Sequence, residues 1–397
     1  MTTNYKILGQ TAPSAGSETL NYTVPNSTSA MVKSINVTNR SATSDTYRIA
    51  IVTSAASAVT PTFVAVPPFR TTAVSSTDGI TWTESTLPGI RFWNSVVYGN
   101  NTFVAVVGVA GGPTTMAATS TDGITWTERT MPASSGWYVT HGNNTFVAVK
   151  YASTTAATST DGITWTLRTM PASAAWEVTY GNNTFVAVGY NTTSAATSTD
   201  GITWALRTLP ASGKWNSLTF GNNTFVAVGY DSTSAVSSTD GITWTLRTLP
   251  VSGYGYWSAA AYGNNTFVAV AYTAAATSTD GITWTLRTMP AQGGWELTYG
   301  NNTFVAVASG SAATSTDGIT WTLNTLTSVG GWRSIAYGNP TASVRTTNNN
   351  FIAFDNIIPA NSTVTIKAGY TLATGNGIRV TSTNGTSTFS TFGAEIS

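Results

Sequence analysis

The heptapeptide Ser-Thr-Asp-Gly-Ile-Thr-Trp occurs seven times in this chain, with its aspartate at Asp78, Asp122, Asp161, Asp200, Asp240, Asp280 and Asp317. The intervals run from 37 residues (Asp280 to Asp317) to 44 (Asp78 to Asp122). A fixed period in that range, made of short β-like pieces, restricts the chain to a propeller or another repeat array. Residues 176–207 illustrate one repeat. Strands are expected at 176–180, 184–188, 195–198 and 202–207, with turns at Gly181-Asn182-Asn183 and Asp200-Gly201, because Gly and Asn tolerate positive φ. Four antiparallel strands repeated seven times predict a seven-bladed β-propeller.

The ends of the array are out of step. It opens at Pro61 with a second strand, 62–66, and ends near Asn339 with a first strand, 332–337. Pairing these two would complete the last blade and remove the sheet edges that a broken ring exposes. It would also bring Pro61 and Asn339 within one hairpin of each other, since paired strands lie about 4.8 Å apart. The flanks, 1–60 and 340–397, show about four strand-like runs each, and each is too small for a comfortable core. The expected domains are therefore a β-sandwich or jelly roll split into 1–60 and 340–397, with the propeller at 61–339 inserted between the halves.

Composition narrows the function classes. Charged residues are 8% and the net charge is +1, so neither nucleic acid nor electrostatic membrane binding is expected. No apolar run is long enough to span a bilayer, and no basic-then-apolar signal segment is visible in the first residues. The 44 aromatic residues (14 Trp, 16 Tyr, 14 Phe) suffice for packed cores. There is no cysteine, hence no thiolate metal site. No His cluster suits a transition metal. The box turns, with one carboxylate each, are poor calcium sites. No cofactor and no metal are expected.

The heptapeptide resembles the Asp-box, the bacterial neuraminidase repeat of sialidases and related propellers, whose pattern is Ser-x-Asp-x-Gly-x-Thr-Trp. Here Gly follows Asp directly, so the box is one residue shorter. The resemblance covers 61–339. It implies that the box is a turn between third and fourth strands, far from any catalytic centre, and that its seven aspartates are structural. The flanks resemble small all-β structural proteins of tailed-phage particles. Tyr5-Lys6-Ile7-Leu8-Gly9-Gln10, Ile35-Asn36-Val37-Thr38-Asn39-Arg40, Ile352-Ala353-Phe354-Asp355 and Phe392-Gly393-Ala394-Glu395-Ile396 carry it. That resemblance implies a virion appendage or tail-fibre-like protein that meets other virion proteins through the split sandwich, and a homo-oligomer, although no coiled-coil heptad is present.

Catalysis is not expected. A glycosidase needs two carboxylates across a cleft. Glu177 and Glu296 both follow the Trp of a first strand, the strand nearest a propeller axis, so one reading turns them toward the central channel; the favoured reading is a solvated charge in each of two separate blades. Sialidases also need three convergent arginines. Arg129, Arg168, Arg207, Arg247 and Arg287 occupy one repeat position on the outermost strand, so they diverge and are read as structural. His141 stands where other repeats carry Tyr or Phe. The seven Trp that lead the first strands are read as core.

Binding is expected on the face whose loops vary between repeats, because recognition usually sits on loops held by a rigid scaffold. The loops between fourth and first strands supply Arg91, Phe92, Lys214, Tyr254 and Tyr256. Those between second and third strands supply Phe69, Arg70, Tyr151, Tyr190, Asn191, Tyr230, Asp231 and Tyr272. Tyr with Asn and Asp suits sugar rings and their hydroxyls. The functional expectation is a phage structural and attachment protein on the virion surface, whose propeller binds a host-surface glycan or protein. A secreted or surface lectin and a glycoside hydrolase are the alternatives.

Overall fold

A Thr-Phe-Val-Ala-Val run is apolar on both faces of a strand, so it must be covered on both. In the computed structural model each of its seven copies is a strand whose Phe, Val, Ala and Val are fully buried. The structure describes residues 6–12, 18–23, 29–52, 62–108, 112, 114–230, 233–251, 256–326, 330–339, 351–372, 377–382 and 387–396. Among these the chain is all-β, with no helix. It divides into two compact units, Thr60–Thr341 and the flanking Met1–Val59 with Ala342–Ser397.

In the repeat unit three sheets have four strands each, and two have seven. Each seven-stranded sheet contains one long strand, Thr83–Gly99 or Thr166–Gly181, whose two halves pair in turn with strands of successive repeats. Every repeat thus contributes four antiparallel strands. One sheet is completed by Ser334–Gly338, which pairs with Thr62–Val66 so that Gly338 faces Thr62 and Tyr337 faces Phe63. The first strands pack against one another in a closed cycle that runs from the second half of Thr83–Gly99 through Trp137–Gly142, the second half of Thr166–Gly181, Trp215–Gly221, Trp257–Gly263 and Glu296–Gly300 to Ser334–Gly338, and back. Trp93, Trp137, Trp176, Trp215, Trp257, Trp295 and Trp332 are buried in the cores between these strands.

The box differs from the two-residue hairpin expected at Asp200-Gly201. The fourth strand starts at Ala205 (Ala205–Gly213), and Ile202, Thr203 and Trp204 belong to the turn. The reason is local hydrogen bonding. Asp200 Oδ1 accepts from the backbone N–H of Ile202 (2.8 Å) and Thr203 (2.9 Å) and from Ser198 Oγ (2.9 Å). Those N–H groups are thereby withheld from the ladder. Gly201 takes φ +72°, and a Cβ there would come 2.6 Å from Val147 Cγ2 in the preceding repeat. The box therefore docks each repeat onto the one before. Arg129, Arg168, Arg207, Arg247 and Arg287 each bond Nε to a third-strand hydroxyl, at 2.8–3.1 Å.

The other unit holds two four-stranded sheets. One contains Lys6–Thr11, Ser387–Ile396, Ser29–Asn39 and Ser362–Leu372; the other contains Glu18–Thr23, Gly377–Ser382, Asp45–Val52 and Phe351–Ile358. Each sheet alternates strands from the two ends of the chain. Tyr47 of one sheet meets Phe389 of the other edge-to-face, ring centroids 6.2 Å apart. Buried Asp45 accepts from Ser387 Oγ at 2.7 Å.

Candidate functional site

Seven residues follow the first-strand tryptophans: Asn94, Tyr138, Glu177, Asn216, Ser258, Glu296 and Arg333. All are polar, and all seven line the small inner cavity of about 80 Å³ enclosed by the first strands. Six of them, all but Asn94, also line a wider cavity of about 470 Å³, where Tyr151, Tyr190 and Tyr230 join Trp176, Trp215 and Trp332. Strand geometry explains the placement. Alternate side chains point to opposite faces, so a buried Trp sends its successor away from the core.

Backbone register divides the seven. At Asn94, Asn216 and Ser258 the pairing to the second strand skips a residue, and such bulges re-aim a side chain. These three tie neighbouring repeats together. Asn94 Nδ2 donates to Trp137 O (3.1 Å), Asn216 Nδ2 to Ser258 O (2.7 Å) and Ser258 Oγ to Trp295 O (2.6 Å). Tyr138 and Glu177 stay in register, opposite Val149 and Val188, as does Glu296 opposite Val307. Arg333 extends its ladder by donating its N–H to Val66 O at 3.1 Å. Its guanidinium lies 5.4 Å from the centre of the Phe92 ring, within cation–π range.

The electrostatics contradict one sequence expectation. Glu177 and Glu296, each partly exposed, are not isolated in separate blades; they line one cavity with Arg333. Burial pushes each carboxyl up to about 8, against the opposing pull of the Arg333 guanidinium, and Glu177 adds to the rise at Glu296. Among the described residues no ion pair joins Arg333 to either carboxyl. A carboxylate surrounded by protein without a close cation favours its neutral form. Burial, reinforced by Glu177, also raises the Tyr138 phenol. The site therefore combines two carboxyls whose neutral form is favoured by burial, a phenol and one guanidinium, groups that can all donate hydrogen bonds.

Of the expected binding residues, Tyr151, Tyr190 and Tyr230 converge on the wider cavity. Tyr256 packs against Tyr230, centroids 5.2 Å apart. Phe69 meets Phe92 edge-to-face at 5.1 Å, and Phe92 carries Arg333. Arg70, Arg91, Phe69 and Phe92 lie on paired strands, not on loops, because Arg70 faces Arg91 and Pro68 faces Phe92 in a bulged ladder. Asn191 is a turn residue with φ +58° whose N–H donates to Gly213 O at 2.8 Å. Lys214 and Tyr272 supply backbone carbonyls to the N–H of Tyr230 (2.9 Å) and Gly293 (2.9 Å). None of these three lines either cavity. Asp231 and Tyr254 lie outside the described residues. His141 bonds Asn100 Oδ1 at 3.1 Å and packs against Phe146 with the rings tilted by 55°, and burial lowers its pKa.

Sequence reasoning missed Arg333, Tyr138, Asn94, Asn216 and Ser258. A signal was present: the residue after the first-strand Trp differs between neighbouring repeats, while the strand beside it stays Thr-Phe-Val-Ala-Val.

No family model and no curated protein matches the chain. Solved structures do. The chain is similar to a streptogramin B lyase structure (TM-score 0.54, 13% identity, 71% of this chain and 98% of that one). It is also similar to virginiamycin B lyase from Staphylococcus aureus (TM-score 0.52, 14% identity, 59% and 85%) and to a catalytically inactive form of that lyase with quinupristin (TM-score 0.52, 12% identity, 73% and 94%). At these identities the likeness shows a β-propeller-like fold alone.

Proposed function

We propose that this chain is an attachment protein of a tailed-phage particle: a seven-bladed β-propeller inserted in a split β-sandwich, the sandwich meeting other virion proteins and the propeller binding a host-surface glycan. The strand pairing of Ser334–Gly338 with Thr62–Val66 supports the seven blades, and the two sheets of alternating N- and C-terminal strands support the split sandwich. The flanking-segment resemblance supports the virion setting. One observation carries the binding reading. Six polar residues, Tyr138, Glu177, Asn216, Ser258, Glu296 and Arg333, each from a different repeat, converge with Tyr151, Tyr190 and Tyr230 on a cavity of about 470 Å³. Flat aromatic rims over a polar floor suit pyranose rings.

The test applies the full chain to a glycan array beside a variant with Tyr151, Tyr190 and Tyr230 changed to Ala. Glycan binding by the wild type, lost in the variant at unchanged Tm, is the expected result. Binding that survives the triple change removes this face from the account. Immunogold labelling of source virions with antibody to 61–339 tests the setting; unlabelled particles with free antigen would favour a secreted lectin.

The two neutral carboxyls favour one second reading, a glycoside-processing enzyme, since an acid held protonated near neutral pH is a proton donor. The lyases among the similar structures keep an enzymatic use of the fold open. Fluorogenic glycosides assayed with the wild type, Glu177→Gln and Glu296→Gln decide it: turnover lost in either variant would favour the enzyme.

A further inference from the structure

The cavity can be read for the charge of its ligand, an inference that rests on the glycan-binding reading above. Arg333 is the only Lys or Arg among the residues lining either cavity. It has no carboxylate partner among the described residues. Its neighbours Asn94, Asn216 and Ser258 spend a side-chain donor on the adjoining repeat. The groups left facing the space are the Arg333 guanidinium, the Glu177 and Glu296 carboxyls and the Tyr138 phenol.

We propose that the cavity takes a saccharide bearing a carboxylate, which pairs with the Arg333 guanidinium and accepts hydrogen bonds from the Glu177 and Glu296 carboxyls. The planar guanidinium fork matches the two oxygens of a carboxylate. The Glu177 and Glu296 carboxyls line the same cavity, and in their neutral form they donate to the ligand's own carboxylate instead of repelling it. The tyrosine rim, Tyr151, Tyr190 and Tyr230, then receives the rings that follow.

Binding is linked to pH by the groups that face one another here: Glu177, Glu296, Tyr138 and Arg333. As pH rises through about 8 the two carboxyls ionise, lose their donor protons and repel the ligand. Affinity for the acidic saccharide therefore falls over that range.

The test is calorimetric titration of the full chain with tetrasaccharides ending in glucuronate or in N-acetylneuraminate, and with the carboxyl-reduced counterpart of each. The two acidic probes separate a uronate from a sialate. Expected is a loss of affinity of roughly tenfold or more on carboxyl reduction, and a similar loss in Arg333→Gln, the usual size for removing a charge-assisted bond. Arg333→Lys should recover part of it. Glu177→Gln and Glu296→Gln, which keep an N–H donor, should each bind at pH 7 and weaken the decline above it, and the double variant should lose it. Carboxyl-reduced probes that bind as well as acidic ones, or Arg333→Gln that binds as wild type does, would overturn the charge inference and leave the glycan site standing. A chain that binds neither these probes nor any arrayed glycan loses both readings.

Discussion

Glu177 and Glu296 occupy the same position in two repeats, the residue after a fully buried first-strand tryptophan, and their carboxyls converge on one cavity with Arg333. The sheet repeats, but this position does not. A repetitive scaffold has therefore been given one asymmetric spot, held by backbone register rather than by flexible loops.

The two carboxyls should make stability fall with rising pH. Each has its folded value raised from 4.5 to about 8, so between those limits the folded state holds protons that the unfolded chain has released. Stability then declines as pH rises across that window and levels off above it. Melting temperatures from pH 4 to 9 measure the slope. Glu177→Gln and Glu296→Gln should each flatten it and raise Tm most at pH 8.

The box aspartates act in the opposite sense. Backbone N–H groups of Thr203 and Ile202, with Ser198, hold the Asp200 carboxyl below its usual value. Its contribution is present above pH 4 and lost as pH falls through the depressed folded value. Asp200→Ala should cost about 1 kcal/mol at pH 7, and less at pH 2, in urea melts; an equal cost at both would remove the ionised carboxyl from the account.

Ring closure is testable at Gly338. A Cβ there would meet Phe103 and come 2.6 Å from Tyr98 Cδ2, so the last glycine lies against the first tyrosine. Gly338→Ala should destabilise by roughly 1–3 kcal/mol. Adding Tyr98→Ala should recover part of that loss, a coupling that a double-mutant cycle reads. Strict additivity would mean that the two residues do not meet.

Phe69 is 55% exposed and has φ +55°, a left-handed conformation that costs a bulky residue about 1–2 kcal/mol. Strain of this kind accumulates at functional positions. Phe69→Gly should leave stability unchanged or raise it, and should weaken glycan binding, because Phe69 supports Phe92 beneath Arg333. Calorimetry with an array-identified glycan checks the second half.

Much of the architecture was legible. The partner of Thr62–Val66 could be named because the array begins with a second strand and ends with a first strand, and Ser334–Gly338 does pair with it. The box turn was harder to read. Asp200 Oδ1 captures two N–H groups and delays the next strand to Ala205, and side-chain capture of that kind leaves no mark on strand periodicity. Loop variation located Tyr151, Tyr190 and Tyr230, but it also nominated Lys214, Asn191 and Tyr272, which serve the loops by backbone hydrogen bonds. For Glu177 and Glu296 the sequence leaves both a central-channel position and a solvated one open, because nothing in a single repeat reports which residues the ring brings together. Only the ring brings residues 156 positions apart in sequence, such as Glu177 and Arg333, into one cavity.

The most direct measurement is a carbon-13 NMR titration of the chain labelled at its six glutamate carboxyls. Two resonances should titrate near pH 8, one vanishing in Glu177→Gln and the other in Glu296→Gln. All six titrating near 4.5 would return these residues to solvated charges and contradict the site.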